Sequence, residues 1–269
     1  MENAVKMPSN AVESLHEETS VKMLIDGKWR EASERRAVVD PYHGTKLGWS
    51  PESSLADLGA ALSAAVRAKD EVARTPAYER AALLRRAAKL VLERVEPISQ
   101  IMVRETGKPL KDARTEVARS EGVITLSAEE AVRIEGAQVP IDATAMGAGK
   151  LAVMWRFPVG VVAGITPFNA PFNLAWRKIA PALAAGNSVV LKAPPQAAMV
   201  IYELSKILAD CGIPPGWVNF LYGNTVGPAL RRSDRKRKHN LAHRPDALWR
   251  HQEQRHRARR TTLCRSRND

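Results

Sequence analysis

The sequence predicts an α/β fold in which a doubly wound parallel sheet follows a run of helices and a β-hairpin. Three observations carry this expectation. The short apolar runs Val161–Ile165, Ser188–Leu191 and Val218–Leu221 are separated by two helix-length segments, which is the strand–helix–strand–helix–strand order of parallel crossovers. Their unbroken apolar character suits strands covered on both faces rather than on one. Upstream, residues 55–131 place their apolar side chains at the 3.6-residue spacing of helices.

Taken in order, the first 20 residues mix acidic and polar types and read as a flexible N-terminus. Met23-Leu24-Ile25 before Asp26-Gly27-Lys28-Trp29 predicts a strand entering a tight turn, with Ala37-Val38-Val39 able to return beside it. Asp40-Pro41 and Gly44 then break the chain. Ser53 or Ser54 can cap a helix with Asp57 in its first turn, and Leu58, Ala61, Leu62 and Ala65 form its apolar stripe. Pro76 suits the first turn of a second helix bearing Leu83, Leu84, Ala87 and Val91. Pro97 restarts the register, Glu105-Thr106-Gly107-Lys108-Pro109 stops one helix and opens the next, and that helix covers Leu110 to Ala131. It is laced with Lys111, Asp112, Arg114, Glu116 and Arg119. Residues 138–141 and 151–155 read as two strands around a glycine-containing loop, and the three buried strands follow.

Composition bounds the function classes. No apolar run approaches the roughly 18 residues of a membrane span, and the N-terminus lacks a signal-like apolar stretch. Cys211 and Cys264 make neither a metal spacing nor a disulfide framework, so a reducing cytoplasm is expected and no metal site is assigned. The formal charge of +12 is concentrated in residues 231–269, which hold 14 Lys or Arg against 4 Asp or Glu. The body before residue 231 is close to neutral. The expected organisation is therefore a flexible stretch at 1–20, a folded unit at 21–230 and a basic irregular tail at 231–269. Such a tail can attract polyanions non-specifically, although no recognition module accompanies it.

Open α/β sheets bind ligands at the carboxyl ends of their strands. Asn169 lies in the loop after the first buried strand, stiffened by Pro167 and Pro171. Its carboxamide can donate a hydrogen bond to a developing oxyanion, or it can simply close a turn and cap the following helix. Lys192 ends the second strand, where a cation reaches a ribose hydroxyl or phosphate, or lies over the sheet edge into solvent. Lys178 sits in a helix, where a solvated face is the plain reading. Gly223 and Gly227 permit close backbone approach, which is a weak signal by itself. Cys211 at a helix end reads as core packing, and Cys264 lacks a context that would fix it against a substrate. His243, His251 and His256 have no supporting fold signal.

The segments LIDGKW (24–29), ETGKP (105–109), PVGVVAGITPFNAPFNLAWRKIAPALAAGNSVVLKAPPQ (158–196) and GIPPGWVNFLYG (212–223) together resemble the N-terminal portion of the aldehyde dehydrogenase superfamily. The resemblance runs from about Met23 to Leu230. It implies a partial Rossmann-type sheet, a hairpin at about 138–155 that serves oligomerisation, and a family reaction in which NAD or NADP oxidises a small aldehyde to a carboxylic acid. Carried over by residue, it makes Asn169 the oxyanion donor. Ile165, Thr166, Pro167 and Phe168 become the loop against the nicotinamide half, with Phe168 in place of the commoner tryptophan. Lys178 becomes the helix lysine near the active centre, Lys192 the lysine that reaches the adenine ribose or a 2′-phosphate, and Gly223 and Gly227 the backbone passing the adenine. Pro195 stands where a carboxylate favours NAD by holding the ribose hydroxyls, which makes NADP use more plausible. The family's Gly-Ser-Thr segment, nucleophilic cysteine and general-base glutamate have no match here. The resulting expectation is a truncated or frame-disrupted family member, inactive by itself, with a non-catalytic oligomerising subunit as the alternative.

Overall fold

Asp26 and Gly27, at φ 57° and 71°, form the tight turn between β2 (Met23–Ile25) and β3 (Lys28–Arg30) in the computed structural model, which describes residues 19–224 and 226–230. β4 (Arg35–Val39) does not return beside β2. It pairs antiparallel with β5 (Lys46–Pro51), and β5 also takes β1 (Thr19–Ser20) in parallel. The Asp40–Gly44 break is therefore the connection between two strands, held by Asp40 Oδ1 accepting from the backbone N–H groups of Tyr42 and His43. Thr19 and Ser20 belong to this sheet and not to a flexible terminus; residues 1–18 lie outside the described residues.

Four helices follow. α1 (Leu55–Arg74) opens on a capping box: Ser54 Oγ accepts from Asp57 N, and the Asp57 carboxylate accepts from Ser54 N. α2 (Ala77–Glu93) starts after Pro76, and α3 (Val95–Thr106) is stopped by Gly107 in the left-handed region at φ 71°. α4 (Leu110–Ala131) packs on α2, α3 and the later α5 (Pro171–Ala184), burying Ala113, Val117, Ile124 and Ala128. Glu116, one of the charges that lace this helix, lies on this same face and is 3% exposed. β6 (Ala137–Val139) and β7 (Ala152–Met154) form the expected antiparallel hairpin.

The parallel sheet consists of β8 (Val161–Ile165), β9 (Ser188–Lys192) and β10 (Val218–Leu221), in the order β10-β9-β8. α5 and α6 (Ala198–Asp210) are its crossovers. α1 packs against the sheet, and Ser188 Oγ donates to the Ala65 carbonyl at 2.8 Å. Phe172, Trp176, Ile179, Val190, Leu191 and Phe220 are wholly buried. Each such large apolar side chain contributes about 1.5–3 kcal/mol of transfer free energy. β9 is buried throughout, whereas β8 pairs with β9 and is partly exposed along its length. β10 is tied to the N-terminal hairpin, because Asn219 Oδ1 accepts from Asp26 N at 2.9 Å and Arg67 holds the Asp26 carboxylate at 2.8 Å.

The chain divides into two units, Met1–Gly227 and Pro228–Asp269. Within the second unit only Pro228, Ala229 and Leu230 are described, and they are helical. The basic tail with its histidines and Cys264 lies outside the described residues. Among the described residues, no helix is long and apolar enough to cross a membrane.

Candidate functional site

The strand register brings three carboxyl ends level. Ile165 of β8 pairs with Lys192 of β9, and Lys192 pairs with Leu221 of β10. One further bond continues each pairing beyond the strands: Thr166 N donates to the Lys192 carbonyl at 3.1 Å, and Ala193 N to the Leu221 carbonyl at 2.8 Å. Three loops therefore leave the sheet from one line, which is where a parallel sheet gathers its ligand contacts.

Asn169 is exposed on the first of these loops. It does not cap α5. Ala170 is the N-cap residue and offers no side-chain bond. The helix-start N–H groups of Phe172 and Asn173 are instead accepted by Glu116 Oε1, at 3.0 and 3.2 Å, from α4. Lys108 Nζ donates to the Asn169 carbonyl at 2.9 Å and also pairs with Glu116. The Asn169 carboxamide has no hydrogen-bond partner among the described residues, so it is available to a ligand. Of the two roles open from sequence, the capping role is thus filled by another residue.

Ile165 is half-buried, Thr166 is buried, and Pro167 and Phe168 are exposed. Thr166 Oγ1 is a buried hydroxyl without a hydrogen-bond partner in the structure. A buried polar atom left so at a strand end fits a polar ligand. Lys178 projects from α5 back over β8. A Cβ built on Gly164 would stand 3.3 Å from Lys178 Cδ and 2.8 Å from Leu191 Cδ1, so the glycine admits the lysine stem. Desolvation lowers the Lys178 pKa, and its Nζ donates to the Leu174 carbonyl at 3.2 Å. It is half-buried and not the plain solvated lysine of the sequence reading.

Lys192 is 7% exposed, and a Cβ on Gly227 would lie 3.9 Å from its Cε. The structure therefore brings Lys192 and Gly227 together. Pro195 begins the turn after Lys192, where its carbonyl accepts from the Arg36 guanidinium of β4. Gly223 follows the end of β10. It is buried at φ 81°, and a Cβ there would collide with the carboxylate of Glu52, which itself accepts from Asn224 N at 3.0 Å. Its need for glycine is set by that packing.

Two buried carboxylates were not singled out from sequence. Besides Glu116, Glu105 at the end of α3 accepts from Met199 N and Val200 N, both at 2.9 Å, and so holds the start of α6. Helical spacing contained the signal, because Glu105 follows Ile98 and Met102 while Glu116 follows Ala113 on faces that the fold buries. Cys211 is 4% exposed, and burial pushes its thiol up to about 11, which makes it an inert core residue. Among the described residues no group of three His, Cys, Asp or Glu side chains could hold a metal ion.

Comparison with known proteins gives this geometry its context. The model of the aldehyde dehydrogenase family matches residues 29–241. The 3-sulfolactaldehyde dehydrogenase of Priestia aryabhattai is 37% identical over 203 residues, covering 75% of this chain and 42% of the relative. The NADP-dependent glyceraldehyde-3-phosphate dehydrogenase of Triticum aestivum is also 37% identical, over 207 residues, with the same coverage of 75% and 42%. Among solved structures, the NADP-dependent glyceraldehyde-3-phosphate dehydrogenase of Bacillus halodurans C-125, complexed with NADP, superposes with a TM-score of 0.75 at 36% identity. That match covers 78% of this chain and 45% of the other. The NAD-dependent aldehyde dehydrogenase of Sinorhizobium meliloti gives 0.74 at 32% identity, covering 80% and 43%. The chain thus spans about two fifths of the length of the relatives it matches. With the partial parallel sheet, the Asn169 loop and the family match agreeing over most of the chain, this protein belongs to the aldehyde dehydrogenase family.

Proposed function

We propose that this chain forms the dinucleotide-facing part of an aldehyde-oxidising site, binds NADP in preference to NAD, and does not complete the oxidation of an aldehyde by itself. The observation that carries the reading is the Asn169 carboxamide, left without a partner on a loop that emerges beside Lys192. When bound, the dinucleotide supplies the hydride acceptor of the family reaction. Ile165, Thr166, Pro167 and Phe168 line its nicotinamide half. Lys192 reaches the ribose or its 2′-phosphate, Gly227 lies beside that lysine where the backbone passes the adenine, and Lys178 adds a partly desolvated cation nearby. Gly223 shapes the adenine side indirectly, through its packing on Glu52. Asn169 donates to the oxygen of an aldehyde as that oxygen gains charge.

The preference for NADP follows from Pro195, which puts no carboxylate beside the ribose hydroxyls and so no charge against a 2′-phosphate. The reading of no turnover is supported by Cys211, the cysteine among the described residues, whose thiol is buried in the core. The test is fluorescence titration of the purified full chain with NADP and NAD, followed by addition of succinate semialdehyde. NADP is expected to bind about tenfold tighter, roughly 1.4 kcal/mol, and no reduced dinucleotide is expected to accumulate. Reduced dinucleotide formed in proportion to protein and lost in Asn169→Ala would refute the inactivity. Failure to bind either dinucleotide would refute the site.

A second reading is favoured by the hairpin. Val153, Met154 and Trp155 are exposed at 56%, 48% and 71%, together with Phe157 at 77%. As a surface that joins protomers, it would give a larger species in sedimentation that Trp155→Glu converts to monomer. Attachment of polyanions through residues 231–269 would appear as salt-dependent binding that disappears when those residues are deleted.

A further inference from the structure

The turn between α3 and α4 reaches the Asn169 loop from outside the sheet. Gly107 reverses the chain, and Lys108 follows at once. Its ammonium lies between the Asn169 carbonyl, at 2.9 Å, and the Glu116 carboxylate two turns along. Glu116 is buried, and its other oxygen accepts both free N–H groups at the start of α5. One turn further, Ser120 Oγ accepts from Asn173 Nδ2 at 3.1 Å and donates to the Glu116 carbonyl at 2.9 Å. Asn173 Oδ1 in turn accepts from Arg177 Nε at 2.9 Å. The chain from Asn169 to Asn173 is therefore gripped at both ends by one helix start, from residues 53 to 61 positions away.

Two physical points give this arrangement a purpose. Helix starts are ordinarily capped by a side chain of their own loop, which would have engaged Asn169 or placed a polar group at residue 170. Capping from α4 leaves the loop side chains free to face a ligand. An oxyanion donor must also be held to within about 0.5 Å of its productive position. The Asn169 side chain has no partner among the described residues, so its placement follows from its backbone alone.

We propose that Lys108 and Glu116 are positioning residues for the Asn169 carboxamide: Lys108 fixes the Asn169 backbone, and Glu116 holds both Lys108 and the start of α5. The inference rests on the reading of Asn169 as oxyanion donor. Its test uses the full chain with ¹⁵N-labelled asparagine and follows the Asn169 side-chain NH₂ resonance, assigned through its loss in Asn169→Ala. Hydrogen exchange at Phe172 and Asn173 is measured beside it. In Lys108→Met and in Glu116→Gln the resonance shifts or splits, and exchange at the two amides rises at least about tenfold while α1 and α2 are unchanged. Lys108→Arg restores the single resonance. An unmoved resonance in both variants overturns the proposal, as does exchange that rises equally in every element. If Lys108→Met does not fold, Glu116→Gln, which keeps the shape of the side chain, decides. Addition of NADP and succinate semialdehyde to the wild type tests the underlying reading separately. A resonance that responds to Lys108→Met and not to these ligands would sink the donor role of Asn169 and leave its positioning intact.

Discussion

Glu105 shows how much one buried side chain determines. Burial pushes its carboxyl up to about 7, against the hydrogen bonds from Met199 and Val200 and the charge of Arg36, which favour the ionised form. Its ordinary value is 4.5, so between there and about 7 the folded state holds a proton that the unfolded chain has lost. The stability from this group is complete below the lower value and is lost as pH rises through the upper one, by about 1.4 kcal/mol per unit in between. Thermal unfolding across that window should show the wild type losing stability relative to Glu105→Gln as pH rises. Parallel curves would contradict it. For Cys211, iodoacetamide at neutral pH should leave its peptide unmodified in the native chain and modify it in denaturant, as mass spectrometry can read. At this scale the candidate site residues are more legible in the sequence than their supports. Asn169 and Lys192 are conspicuous beside prolines and strand ends. Glu116 appears as one charge among several in a helix, and only a fold that brings residue 172 against residue 116 gives it a role.

Elements were legible wherever a local pattern determines them. Ser54 and Asp57, the Gly107 stop, Pro171 at the start of α5 and the three apolar strands all follow from neighbours within a few residues. β5 was not legible, because Lys46–Pro51 contains a glycine and a proline and alternates weakly. Its partner β4 was therefore assigned to β2. Pairing between short strands is a tertiary choice that hairpin signals do not settle. The connection after β10 gives a test at this scale. Gly223→Ala should cost about 1–3 kcal/mol, since it forces an unfavourable φ and displaces Glu52. Chemical denaturation should show Glu52→Ala recovering part of that loss in the double variant. Strict additivity would mean that Glu52 is not the obstacle.

At the scale of the molecule, β8 pairs with β9 and carries an exposed Ala163. Trp155, Phe157 and Phe168 add exposed aromatic surface in the same stretch of chain. The expected outcome is self-association that grows with concentration in analytical ultracentrifugation. Ala163→Lys, a charge at the exposed position of β8, should reduce it, and an unchanged distribution would direct attention to the hairpin instead. The α/β class and the order of crossovers were legible from the sequence, because three apolar runs separated by helix-length segments admit few topologies.

The bond between Asp26 and Asn219 has a temporal consequence. A ribosome makes β10 nearly two hundred residues after the β2–β3 hairpin, so the hairpin must wait through that stretch of synthesis for the strand it secures. Contacts of such long sequence separation close late and slowly. A piece made so far ahead of its partner is thus among the last to come to rest, and a nascent chain released before residue 219 leaves the Asp26 N–H without its Asn219 acceptor.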